Sequence, residues 1–226
     1  MRNSKLELPI AKPTKDTIPD LLVRNLPRQV VLGVEEALVV GAQRAYAAAR
    51  GMDDGHLSSV VGQLRHFHMN EAFQRTLAVN DGAPSPIRGN AIVVGRTGVF
   101  TLARFNIKEG IWTNGRRSQT RRQMSMANQA IEPLVQPELF ADYVPPSDAV
   151  AFFVACFSGS LQIHPDSPVS IQIAVPDRNM EGWLFREPID AFLKRYDQKP
   201  ATMQDDLAMP KLKKNSGKQD KDGTTQ

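Results

Sequence analysis

The spacing of apolar residues changes near residue 80, and that change limits what this chain can fold into. Before it, Val34, Leu38 and Ala42 recur with Ala37, Ala45, Ala48 and Ala49 at helical spacing. Alanine is the strongest helix former, so the spacing predicts a helix over 34–50. Glu35 and Glu36 occupy its first turn, where the helix dipole favours acids, and Gly51 follows as a stop. Asp53 or Asp54 caps a second helix from about Gly55, with Leu57, Val60, Val61, Leu64 and Phe67 as its apolar stripe. Asn80-Asp81-Gly82 and Pro84-Ser85-Pro86 end it.

Beyond that point the apolar runs shorten and become β-branched or aromatic. Ala91–Val94 and Val99–Phe105 are expected as strands, split by a hairpin-like turn at Gly95-Arg96-Thr97-Gly98. Ile111–Trp112 is a candidate third strand. Residues 116–132 return to helix and are closed by Pro133 and Pro137. Ala149–Phe157, Val169–Val175 and Trp183–Phe185 read as strands, and Pro188–Tyr196 as a short final helix. The order α-α-β-β-(β)-α-β-β-β-α predicts an α+β (or α/β) single domain, a mixed β-sheet flanked by helices.

Residues 1–19 hold Pro9, Pro13 and Pro19 among scattered charges and read as an extended arm. Residues 20–197 form the expected globular domain. Residues 198–226 read as a disordered basic tail, because the last 13 residues carry no apolar side chain. The longest apolar run, Ala149–Phe157, is far shorter than the ~20 residues that span a membrane. Its lone Cys156 has no partner for an internal disulfide, which fits a reducing, cytoplasmic setting. No membrane partner is expected.

The net charge of +4 hides a strong partition. Residues 104–123 carry +5, residues 124–210 carry −7, and residues 211–226 carry +3. The basic block contains Trp112-Thr-Asn-Gly-Arg116-Arg117-Ser118-Gln-Thr-Arg121-Arg122. Four arginines stand within seven residues, with no acid among them. On one helix Arg117 and Arg121 lie four apart, as do Ser118 and Arg122, so they extend a single strip. Arginine suits phosphate because its planar fork of donors stays charged. Ser118 and Asn128 add hydrogen-bonding groups, and Trp112 offers a ring to stack on a base. The alternative is a solvated face that pairs with the acidic half through weak ion pairs.

A second candidate is Arg65-His66-Phe67-His68-Met69-Asn70-Glu71. His68 and Glu71 are three apart and can face each other on a helix, as an acid–base pair or two metal ligands. His68 also continues the apolar stripe, which favours a packed structural role. No metal site and no cofactor is expected. Glycine-rich phosphate loops and the Gly-x-Ser-x-Gly elbow are missing. Cys156 lies in the apolar run Phe152–Phe157 and reads as core.

The element order is similar to that of restriction-endonuclease-like nucleases, whose strands carry acids that hold Mg²⁺. Here Thr101–Lys108 has no acid, so the likeness stops at element order. The leading expectation is a small nucleic-acid-associated binding protein that contacts phosphates through Arg116, Arg117, Ser118, Arg121, Arg122 and Trp112. One alternative is a nuclease or ribonuclease-toxin-like hydrolase using His68 and Glu71. Another is a protein-binding, immunity-like module acting through the acidic half. Whether the protein is an enzyme stays open at this stage.

Overall fold

A computed structural model describes residues 17–135 and 146–198. The arm up to residue 16 and the tail from 199 lie outside the described residues. Three helices come first: α1 (Ile18–Asn25), α2 (Arg28–Ala49) and α3 (Asp54–Val79). Thr17 caps α1 by accepting from the Asp20 backbone, while the Asp20 carboxylate accepts back from the Thr17 backbone. Pro19 sits in that first turn, where a missing N–H costs nothing. The boundary expected at residue 19 therefore falls inside α1. Helix α2 starts at Arg28, earlier than its alanine pattern predicts, and buries Val30 and Val31 in the added turns. Gly41 lets α2 and α3 touch closely: a Cβ there would lie 2.8 Å from the Met69 Cα.

The sheet follows, with strands β1 (Val94–Thr97), β2 (Phe100–Lys108), β3 (Ala149–Phe157), β4 (Ser170–Pro176) and β5 (Trp183–Pro188). Their spatial order matches their chain order. Strands β2 and β3 run parallel, and every other neighbouring pair is antiparallel. The expected mixed sheet in an α+β chain is therefore present. Gly95, Arg96 and Thr97 lie in β1, and the turn is Gly98-Val99. Gly98 adopts φ +52°, which glycine reaches without strain, so the turn sits later than the two-glycine spacing implied.

Each face of the sheet has its own core. On one, Phe100, Leu102, Ala151, Phe153 and Ile173 pack against α1, α2 and α3. On the other, Ala103, Phe105, Phe152, Val154 and Cys156 pack under the connection between β2 and β3. That connection is not the helix expected over 116–132. It is a 3₁₀ turn (Trp112–Arg117), a short helix α4 (Gln119–Ser125) and a second 3₁₀ turn (Met126–Ala130). Trp112 begins the 3₁₀ turn, so no third strand forms at Ile111–Trp112. Ser118 breaks the helix because its side chain caps α4, accepting from the Arg121 N–H. Helix α5 (Ile189–Leu193) closes the fold with Ile189 and Phe192 buried. The Tyr196 hydroxyl donates to the Leu26 carbonyl at 2.6 Å, tying this end to α1. Among the described residues, no helix is long and apolar enough to cross a membrane.

Candidate functional site

Strand β2 alternates its side chains between the two faces. Phe100, Leu102, Arg104, Asn106 and Lys108 share the face toward α3, and the first two are core. From Arg104 onward this face turns polar while the strand stays buried. Arg104 is 4% exposed. Its Nε donates to Asn70 Oδ1 at 2.9 Å, Nη1 to Asn106 Oδ1 at 2.9 Å and Nη2 to the His66 carbonyl at 2.8 Å. All three partners are neutral. No carboxylate forms an ion pair with it among the described residues. Burial alone pulls its guanidinium down to about 9. A buried cation without a counter-ion is costly unless something offsets it.

The network continues from Arg104. Asn70 Oδ1 accepts from Arg104, so its Nδ2 is the group that faces His66 Nε2 at 3.2 Å. His66 is therefore a neutral ring with its proton on Nδ1. Burial, together with the Arg104 charge, holds it below the ordinary histidine value, against a hydrogen bond to the Asn90 backbone.

Two clefts are lined by partners of this buried charge, one by Asn106 and the other by His66. The first lies where the parallel strands β2 and β3 end. It measures about 320 Å³, and its lining includes Arg65, Asn106, Lys108, Asn114 and Ser158. Arg65 stacks on the Phe157 ring at 3.8 Å and donates from Nη2 to the Pro165 carbonyl at 2.6 Å. Its buried Nε has no hydrogen-bond partner among the described residues. Burial lowers the Arg65 guanidinium, partly opposed by Asp166. The second cleft, about 710 Å³, lies between α3 and Asn90 and includes Gln63, His66 and Phe67 in its lining. Ser58 and Gly62 line both.

The arginine cluster is organised differently. Arg121 is half-buried: Nε donates to the Gly115 carbonyl at 2.8 Å, Nη2 to the Asn114 carbonyl at 3.2 Å, and the guanidinium covers Phe105. Arg116 pairs with Glu181 at 3.3 Å. Arg117 lies in the 3₁₀ turn before the cap, so it does not share a helical strip with Arg121. Arg117 and Arg122 are exposed. Trp112 meets Trp183 edge-on at 5.0 Å and carries Arg186 over its ring at 4.5 Å. Asn128 is fully buried: it donates to the Val150 and Pro176 carbonyls and accepts from the Val150 N–H. It cannot read a base edge. What remains is a shallow groove of about 620 Å³ whose lining includes Arg116, Gln119, Arg122, Gln123, Arg178 and Glu181.

His68 Nδ1 lies 3.9 Å from Glu71 Oε2, and Arg44 reaches the same oxygen at 3.7 Å. The spacing thus brings the expected pair together. Neither residue lines these two clefts. Among the described residues, no group of three His, Cys, Asp or Glu side chains is placed to hold a metal. Burial pushes the Cys156 thiol up, away from the thiolate that nucleophilic chemistry requires. Phe67, expected in the core stripe, is 41% exposed and lines the second cleft.

Arg104 and Lys108 were not singled out by residue pattern; Arg65, His66, Phe67 and Asn70 lie in the candidate segment 65–71, where the expected chemistry fell on His68 and Glu71 instead. One signal was available for Arg104: it stands in phase with Phe100 and Leu102, at an inward position of a buried strand. Comparison with known protein families, curated proteins and solved structures finds no match.

Proposed function

We propose that this is a binding protein for phosphate-bearing ligands, and that the phosphate sits in the cleft at the ends of β2 and β3. One observation carries the reading. Arg104 is a buried cation with no carboxylate partner among the described residues, bonded to Asn106 in the lining of a cleft that also holds Arg65 and Lys108. An anion in that cleft offsets a charge the fold leaves uncompensated. Arg65 and Lys108 supply direct donors, and Asn106 and Asn114 supply neutral ones. Arg104 acts through Asn106 and the field it creates.

The test is a thermal-shift titration with inorganic phosphate. The wild-type protein is expected to gain melting temperature, in proportion to the logarithm of phosphate once the site fills. Lys108→Glu, a charge reversal at an exposed position, removes that gain without lowering the starting melting temperature. An unchanged response in this variant would falsify the reading.

A second reading is favoured by the groove of Arg116, Arg122 and Arg178, where three guanidiniums meet Gln119 and Gln123. Here the protein holds the phosphates of a nucleic acid strand through exposed arginines, with a steep dependence on salt. Ion pairs of Arg116 with Glu181 and Arg178 with Glu132 reduce the free charge. Replacing Arg116, Arg117 and Arg122 together by Ala, with Arg121 kept, separates the readings. Loss of oligonucleotide binding in that variant, with the phosphate response intact, assigns nucleic acid to the groove.

A further inference from the structure

The two clefts lined by partners of Arg104 are not independent. Ser58 and Gly62, one helical turn apart on α3, line both. Gly62 forms the saddle between them. A Cβ at this position would meet nothing within 4 Å, so the space above it is open. Arg104 serves both sides, donating to Asn106 in one cleft and to the His66 backbone in the other.

The clefts differ in chemistry. The strand-end cleft is lined by cations and amides. The α3 cleft presents the exposed Phe67 ring, with the His66 ring edge-on to it at 5.5 Å. Gln63, Ser59 and Asn90 stand around those rings as hydrogen-bonding groups. A large aromatic left open beside neutral donors and acceptors suits a flat heterocycle, which stacks on the ring and satisfies its polar edges. His66 is held neutral by its bond from Asn70, so it offers a ring rather than a second cation.

We infer that the ligand is a phosphate ester of nucleoside 5′-monophosphate class, with its phosphate at the ends of β2 and β3 and its base against Phe67. This inference rests on the phosphate reading above and adds the identity of the group that the phosphate carries.

Isothermal titration of the full chain with inorganic phosphate, ribose 5-phosphate and adenosine 5′-monophosphate tests it. The nucleotide is expected to bind at least tenfold more tightly than ribose 5-phosphate. Phe67→Ala, a change at an exposed position, brings the nucleotide down to the sugar phosphate while phosphate affinity holds. Gly62→Leu fills the saddle and cuts nucleotide affinity by tenfold or more. It also removes a glycine from a helix interior, so melting temperature rises by about 2–4 °C, and lost binding cannot be ascribed to lost folding. Equal binding of nucleotide and sugar phosphate, both sensitive to Lys108→Glu, overturns the base site and leaves the phosphate site standing. No binding of any of the three probes overturns both.

Discussion

Arg121 and Arg104 both turn their guanidinium groups inward onto uncharged partners, but they differ in depth of burial and in what lies beside those partners. Arg121 bridges two backbone carbonyls and covers Phe105, holding the 3₁₀ turn Trp112–Arg117 against the sheet. Its neighbours are similarly occupied: Trp112 by Trp183 and Arg186, Arg116 by Glu181, Asn128 by β3 and β4. Arg104 is more deeply buried, its partners are likewise uncharged, and two of them, Asn106 and His66, line open clefts. Much of a dense run of arginines can thus serve as scaffold. What separates Arg104 from Arg121 is its greater burial and the open clefts lined by two of its partners.

The sharpest test of the scaffold side is Asn128→Ala. It strands the Val150 N–H and two carbonyls in the core, so a loss of about 3 kcal/mol is expected in urea unfolding. A loss under about 1 kcal/mol would break the contrast, because the crossover would then hold without its buried amide. Arg121→Ala is expected to cost about 2 kcal/mol, as two carbonyls lose a charged donor and Phe105 loses its cover. Oligonucleotide affinity at matched folded fraction should stay within twofold.

On the cleft side two effects oppose each other. Arg104→Met removes the desolvation cost of a buried charge but leaves Asn70 Oδ1, Asn106 Oδ1 and the His66 carbonyl without their donor, so stability at neutral pH is expected to stay within about 1 kcal/mol of wild type. Its pH dependence is diagnostic. The folded-state value of about 9 lies below the usual guanidinium value, so above pH 9 the unfolded chain holds the proton more often than the folded one. The wild type therefore gains stability as pH rises, by about 1 kcal/mol relative to Arg104→Met between pH 8.5 and 10. Measuring the difference between the two proteins cancels Tyr196, whose hydroxyl burial raises to about 12 and which acts in the opposite sense. Parallel curves for the two proteins would contradict an uncompensated Arg104. Smallest of all, Arg116→Ala should change stability by less than about 0.5 kcal/mol, as exposed ion pairs do.

The sequence was legible where periodicity is local. Helical spacing over 34–50 and 57–67 marked α2 and α3, and the run Ala149–Phe157 marked β3. It was misleading where a single side chain overrides its neighbours. Ser118 caps α4 and splits the expected helix, and Gly98 moves the hairpin turn. The site was harder to see, because it depends on a distance between elements. The segment Arg65–Glu71 was flagged, but for His68 and Glu71; nothing separates Lys108 from other surface cations until β2 and α3 are brought together. Phe67 fell in a helical stripe, yet α3 turns Val61, Met69 and Phe73 inward and leaves Phe67 facing the cleft.

The strand order has a consequence for how the protein acquires its site. Three of the four connections between neighbouring strands are short: Gly98-Val99 closes β1 on β2, residues 158–169 close β3 on β4, and residues 177–182 close β4 on β5. Only the β2–β3 pairing waits for a long segment, residues 109–148, to close, and long closures are entropically slow. That pairing is also the one whose ends form the cleft proposed to hold phosphate. A chain with its hairpins and its α2–α3 pair already formed would still lack that cleft, so the proposed anion site exists only once β2 and β3 have paired.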